Sequence, residues 1–325
     1  MPELPEVEVV RRGLVDWVVG RQIEHVEVSD PRSVRRQAGG PEAFLAATSS
    51  MVITSAVRRG KFLWLTLAPE TAADGGNDFG AEPRFALMAH LGMSGQMLVE
   101  DAEQPWEKHL KVRFVLSERD GAPGELRFID QRIFGGMWIS ELVPTLDHGP
   151  GGLGDQAHLI PEAASHIGRD VIDPMTNARA LRKQWRTKRT GIKNALMDQS
   201  VISGVGNIYA DEALWRIKRH YETPVSRLSL REIEELLEAL RAVMNSALDA
   251  GGTSFDSLYV NVNGASGYFD RSLNAYGRAG EPCPRCEREG KPGLIVREPW
   301  GGRSSYRCSW CQRRPRGVLT TTPTA

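Results

Sequence analysis

The chain begins Met1-Pro2-Glu3-Leu4-Pro5-Glu6-Val7-Glu8-Val9-Val10-Arg11-Arg12-Gly13-Leu14. Pro5 and Glu6 suit the first turn of a helix. There a proline lacks only a donor the helix does not use, and a carboxylate meets the positive end of the dipole. Val7, Val10, Leu14 and Trp17 then recur at helical spacing, and Gly20 ends the run. A helix buried along that stripe holds its own N-terminus in a fixed place. With Met1 removed, that terminus is Pro2, a secondary amine. An α-amino group titrates near pH ~8, so a useful fraction is nucleophilic at neutral pH. Such an amine can form a cationic Schiff base, and proline's iminium has no N–H proton to lose, so it stays a strong electron sink. Glu3 could handle protons beside it. Met-Pro by itself is also how a disordered terminus begins, so the rest of the chain must decide.

From Gln22 to about Leu142 the pattern is mainly strands. Phe62–Leu67, Phe85–Ala89, Val112–Leu116, Leu126–Ile129 and Met137–Ile139 are short apolar runs separated by Gly, Pro and Asp, the spacing of an antiparallel β-sandwich. Ala68–Pro83 reads as a mobile surface loop. Thr145–Ser165, containing Gly-Pro-Gly-Gly-Leu-Gly, reads as an interdomain linker. The period then becomes helical. Ser229-Leu-Arg-Glu232 is a capping box, and Ile233, Leu236, Leu237, Leu240, Val243, Met244, Ala247 and Leu248 follow on one face. The fold class is therefore α+β and multidomain. The expected division is a sandwich domain with an N-terminal helix over 1–144, a linker over 145–170 and a helical domain over 171–275. A cysteine module over 276–315 and a disordered tail over 316–325 complete it.

The chain has 325 residues, room for two or three domains. Its 25% charged and 41% hydrophobic residues are ordinary for a soluble globular protein. No apolar run reaches the ~18 residues of a membrane helix, and no signal peptide is legible, so a cytoplasmic protein is expected. Net charge is zero but segregated. Residues 179–193 carry seven Lys/Arg and no acid, and residues 276–325 carry ten Lys/Arg and four acids. Such segregation suits a basic face for phosphates, or simply two solvated faces. Cys283-Pro-Arg-Cys286 and Cys308-Ser-Trp-Cys311 are separated by 21 residues. Two such knuckles, joined by a hairpin of Leu294–Val296 and Ser305–Arg307, can place four thiolates around Zn²⁺.

Other stretches are ambiguous on their own. Ser203-Gly-Val-Gly-Asn207 reads as a tight turn and a helix N-cap, whose N–H groups also suit a phosphate. Arg58-Arg-Gly60-Lys61 puts a lysine at the start of a buried strand, where snorkelling is the plain reading. His90-Leu-Gly-Met93-Ser-Gly and Asp130-Gln-Arg132-Ile-Phe134-Gly-Gly are turns with apolar tips, otherwise core or half-buried surface.

Taken together, these motifs resemble the formamidopyrimidine-DNA glycosylases, bacterial enzymes that excise oxidised purines from DNA. The resemblance spans nearly the whole chain. It implies a β-sandwich, a helix–two-turn–helix DNA clamp and a β-hairpin zinc finger holding one structural Zn²⁺ on Cys283, Cys286, Cys308 and Cys311. It implies Pro2 as nucleophile, Glu3 as proton donor and acceptor, and Lys61 and Arg303 assisting elimination. It places Met93, Arg132 and Phe134 in the hole left by a flipped base, with Arg132 meeting the orphaned partner base. It places His109, Arg189 and Asn207 on DNA, and Thr253–Tyr268 at the family's lid over the flipped base. The partner expected is damaged double-stranded DNA, with no membrane and a monomeric protein. Two departures stand out: Ile133 occupies a position where the family more often has arginine, and Glu287–Gly293 looks like an insertion. The nearest rival is the sister endonuclease VIII type, which removes oxidised pyrimidines. A zinc-finger DNA-binding protein without catalysis would keep the cysteines and basic runs but give no reason for Pro2, Glu3 and Lys61.

Overall fold

A computed structural model of the chain describes residues 2–70, 84–251, 262 and 272–316. The chain divides into two compact units, Met1–His166 with Ala250–Tyr268, and Ile167–Asp249 with Phe269–Ala325. Among the described residues no helix is long and apolar enough to cross a membrane.

The first unit opens with α1 (Leu4–Trp17), β1 (Ile23–Val28), α2 (Gly40–Thr48), β2 (Met51–Arg59) and β3 (Phe62–Pro69). There follow β4 (Phe85–His90), β5 (Gly95–Glu100), β6 (Leu110–Leu116), β7 (Glu125–Asp130), β8 (Gly136–Pro144) and β9 (Leu159–Pro161). They form two antiparallel sheets, β1-β6-β7-β5 and β2-β3-β4-β8-β9. Alternation explains β6, where Leu110, Val112, Phe114 and Leu116 are buried and the residues between them half-exposed. Phe114 and Phe128 of one sheet share a core with Leu65, Leu87 and Met137 of the other. Val7, Val10 and Leu14 complete that core, so α1 is held along the stripe its sequence presents. β3 is buried on both faces. Its outer residue Trp64 packs with Trp138, Leu142, Ile160 and Ala164.

Part of that outer layer, Ile160 and Ala164, comes from the stretch read as a linker. Gly152 lies where an added Cβ would sit 2.4 Å from the Arg58 carbonyl oxygen. Its glycine therefore serves close backbone approach as much as freedom. Helix α2 lies within the region read as strands, a short element capped by glycine and carrying proline in its first turn.

The second unit contains α3 (Ala178–Trp185), α4 (Ile192–Met197), α5 (Asn207–Arg216) and α6 (Leu230–Asp249). It continues with α7 (Pro284–Arg288) and a hairpin of β10 (Ile295–Trp300) and β11 (Arg303–Cys308). The capping box before α6 is present: the Ser229 N–H donates to Glu232 at 2.8 Å, and the Glu232 N–H to the Ser229 hydroxyl at 3.3 Å. Most of Ala68–Pro83 and Thr253–Tyr268, and the chain after Arg316, fall outside the described residues.

Candidate active site and nucleic-acid interface

Pro2 and Glu3 stand immediately before α1, and both are buried. Glu3 is the helix N-cap, with extended backbone, and forms a reciprocal capping box with Glu6, whose carboxylate accepts the Glu3 N–H at 2.9 Å. Pro2, next to Glu3, is thereby fixed to a helix whose apolar stripe is buried in the sandwich core. Lys61 is half-buried at the β2–β3 turn, where Gly60 has φ +59°. The Arg58 guanidinium, fully buried, donates to the Gly60 carbonyl at 3.1 Å and to Glu8 at 3.0 Å. Glu8 also accepts Arg11 and Arg12, at 2.9 Å each. Burial would raise the Glu8 pKa, but the Arg11 hydrogen bond and the Arg58 charge outweigh it and hold it at about 2. A permanently charged cluster thus ties α1 to the turn that carries Lys61.

Met93 and the pair Arg132 and Phe134 sit on two turns, after β4 and after β7. Phe134 is 48% exposed despite its size, and the Arg132 guanidinium lies over its ring at 5.0 Å. An exposed aromatic with a cation stacked on it suits insertion into a base stack. His109 is half-buried just before β6, and its carbonyl accepts the Asp130 N–H at 3.0 Å.

In the second unit, Asn207 is the first residue of α5 and Gly206 is its cap, one position from the sequence expectation. The Asn207 side chain is thereby released from capping. Its Nδ2 donates to the Ser304 carbonyl at 3.0 Å, and its Oδ1 is buried without a partner among the described residues. Arg303 is exposed at the start of β11, beside Gly301 and Gly302 with φ +50° and +73°. Asn207 and the strand bearing Arg303 are therefore joined. Arg189 is exposed between α3 and α4. The four cysteine sulfurs lie within 4.8 Å of one another, and none forms a disulfide. Tetrahedral zinc with ~2.3 Å bonds would space its sulfurs roughly 3.8 Å apart, and those of Cys286 and Cys308 are 3.6 Å apart. The Trp310 and Cys311 N–H groups point at the Cys308 sulfur, both at 3.4 Å, and Trp215 Nε1 at that of Cys283, at 3.3 Å. The donors favour thiolates, and the set fits a closed metal site.

Both the sequence and the fold have named relatives. Residues 1–137 match the family model of the formamidopyrimidine-DNA glycosylase N-terminal domain, and residues 167–258 that of the family's H2TH domain. The formamidopyrimidine-DNA glycosylase of Kineococcus radiotolerans is 51% identical over 97% of this chain and 99% of its own length. The chain belongs to the formamidopyrimidine-DNA glycosylase family. The glycosylase of Thermobifida fusca is 53% identical, again over 97% of this chain and 99% of its own. Among solved structures, the Lactococcus lactis enzyme in complex with DNA containing an abasic site aligns with TM-score 0.74 and 27% identity. That alignment covers 96% of this chain and all of that one. A structure of MutM with DNA containing carbocyclic 8-oxo-G aligns with TM-score 0.75 and 28% identity.

Within this glycosylase fold, some residues were not legible in the sequence. Lys193, counted only as part of a basic run, is fully buried. It donates to Asp211 at 2.6 Å and lies 4.7 Å from the Trp300 ring centre. Asp211 also accepts the Ser305 hydroxyl and the Tyr306 N–H, both at 2.9 Å. Burial pushes its carboxyl above the ordinary range, and Lys193 opposes it. The pair locks β11, and with it Arg303, to α4 and α5. Glu8 with Arg58 is a second such pair. Composition shows that these charges exist, but only the fold shows that they meet.

Proposed function

We propose that this chain is a bifunctional DNA glycosylase and abasic-site lyase that removes oxidised purines from duplex DNA. The observation that carries the reading is the fixed N-terminus. Pro2, which becomes a secondary amine once Met1 is removed, and the Glu3 carboxyl group are neighbours at the start of a capped helix, in a chain about half identical to named formamidopyrimidine-DNA glycosylases over almost its whole length. Pro2 attacks C1′ of the damaged nucleotide and the C1′–base bond breaks, the base leaving with a proton. The C1′–O4′ bond then breaks, its electron pair and a proton going to O4′, and the iminium forms. Glu3 moves protons around the sugar. β-Elimination then breaks the strand on the 3′ side and δ-elimination on the 5′ side. Lys61 and Arg303 assist through phosphate charge and proton transfer. Met93, Arg132 and Phe134 fill the hole left by the flipped base, and His109, Arg189 and Asn207 hold DNA. Cytoplasmic placement and the division into segments 1–144, 145–170, 171–275, 276–315 and 316–325 belong to the same proposal.

Cys283, Cys286, Cys308 and Cys311 would hold one Zn²⁺. Four protein ligands leave no open position, so the metal supplies a crosslink for the hairpin and no chemistry. Cys308→Ser should lose zinc and weaken binding to lesion DNA by at least about tenfold, while the first unit keeps its melting transition. Metal analysis of protein purified without chelator, and a binding titration, check this. Metal-free wild-type protein with full DNA affinity would contradict it.

The substrate class is tested by cleavage of a duplex bearing 8-oxoguanine opposite cytosine against one bearing thymine glycol. Preference for the first is expected. Preference for thymine glycol would assign the chain to the pyrimidine-excising type.

A further inference from the structure

The two turns that carry Met93, Arg132 and Phe134 are not independent loops. Asp130, fully buried at the end of β7, accepts the Ser94 hydroxyl at 2.6 Å, the Gly135 N–H at 2.8 Å and the Arg132 N–H at 3.2 Å. The Ser94 hydroxyl oxygen in turn accepts the Arg132 N–H at 3.0 Å. One carboxylate therefore links the residue after Met93 to residues on both sides of Phe134. The backbones touch as well: a Cβ added to Gly92 (φ +61°) would lie 2.5 Å from the Gly135 nitrogen. Arg35 closes the other side, donating to the Gly135 carbonyl at 2.9 Å and the Phe134 carbonyl at 3.2 Å. Between Arg132 and Phe134, Ile133 is held at φ +54°, in the left-handed region. A β-branched residue stays there only where its surroundings over-determine the backbone.

We propose that Asp130, with Ser94 and Arg35, is a positioning clamp that fixes Met93, Arg132 and Phe134 as one rigid wedge before DNA binds. This rests on the wedge reading of those three side chains. Its physical basis is pre-organisation. A group held in its bound geometry loses little freedom on insertion, so more of its interaction is available to offset the unstacking of the flipped base. Asp130 touches neither base nor sugar in this account; it acts through the turns.

The test uses the full-length protein and two substrates, a duplex with 8-oxoguanine opposite cytosine and a single strand with a pre-formed abasic site. The second needs no hole to be filled. Active enzyme is counted by borohydride trapping on the single strand, so partial misfolding cancels. Asp130→Asn preserves volume but replaces one acceptor oxygen with a donor. It should lower the duplex-to-single-strand rate ratio by at least about tenfold. Ser94→Ala should lower it less. The double variant should lose less than the product of the two, because both break one link. Met93→Ala, run alongside, reports on the wedge itself. If Met93→Ala lowers the ratio and Asp130→Asn does not, the clamp is wrong and the wedge stands. If neither changes it, the wedge reading falls and the clamp with it.

Discussion

One extra residue placed before Pro2 should abolish strand cleavage at both 8-oxoguanine and abasic sites, a loss of at least about a thousandfold. The extension turns the terminal amine into an amide, which cannot attack C1′. It leaves untouched the exposed Arg189 and Arg303 and the wedge, so DNA affinity should change by less than about tenfold, in keeping with a phosphate-dominated interaction. Cleavage gels and a binding titration in the same buffer separate the two quantities. Retained cleavage by the extended protein would show that Pro2 is not the nucleophile. Pro2→Gly keeps a terminal amine, so weak lyase activity is expected to survive it. Glu3→Gln should impair base excision more than cleavage of an abasic site, where no base has to leave.

Lys193→Met should destabilise the fold by about 3–5 kcal/mol, because it strands a buried carboxylate. Asp211 would keep Ser305 and Tyr306 as donors but lose its cation, and the Trp300 ring would lose its partner. The loss should depend on pH in a stated direction. Burial already pushes the Asp211 carboxyl up, and Lys193 opposes that shift, so the variant's folded-state pKa rises further above the unfolded value near ~3.9. A group raised in the folded state contributes stability at low pH that is lost as pH rises through the folded pKa. The gap between variant and wild type, read by denaturant titration at pH 5 and pH 8, should therefore be smaller at pH 5. A second change, Asp211→Leu, should recover part of the loss. An equal gap at both pH values would mean that Asp211 is not the stranded charge.

Local signals in the sequence carried far. The spacing of Val7, Val10 and Leu14 and the capping residues Ser229 and Glu232 depend on neighbours three or four positions away, and the structure keeps both. The two Cys-x-x-C pairs converge because a single hairpin, β10 to β11, brings them together. The contacts that local sequence does not encode are non-local. Ser94 and Asp130 lie 36 residues apart, and Lys193 and Asp211 18 apart, so no periodicity links them. Asn207 was legible as a helix start but not as a residue freed to reach Ser304, 97 positions on. The glycines near Gly152 announced an irregular backbone, but not that it would pack against β2 and Trp64. Helix α2 is nine residues long, too short for its apolar pattern to outweigh the strands around it.

In the proposed reaction the Pro2 nitrogen bonds to C1′ of the damaged nucleotide. The iminium it forms is electrophilic, and borohydride should reduce it to a stable amine. Protein, lesion DNA and borohydride together should therefore give a covalent adduct that forms in no mixture lacking one of them. Mass spectrometry of a digest should place the adduct on the peptide beginning at Pro2, with Met1 absent. An adduct mapped to Lys61 would contradict the mechanism while leaving the glycosylase class intact, and the absence of any adduct during active cleavage would contradict Schiff-base chemistry altogether.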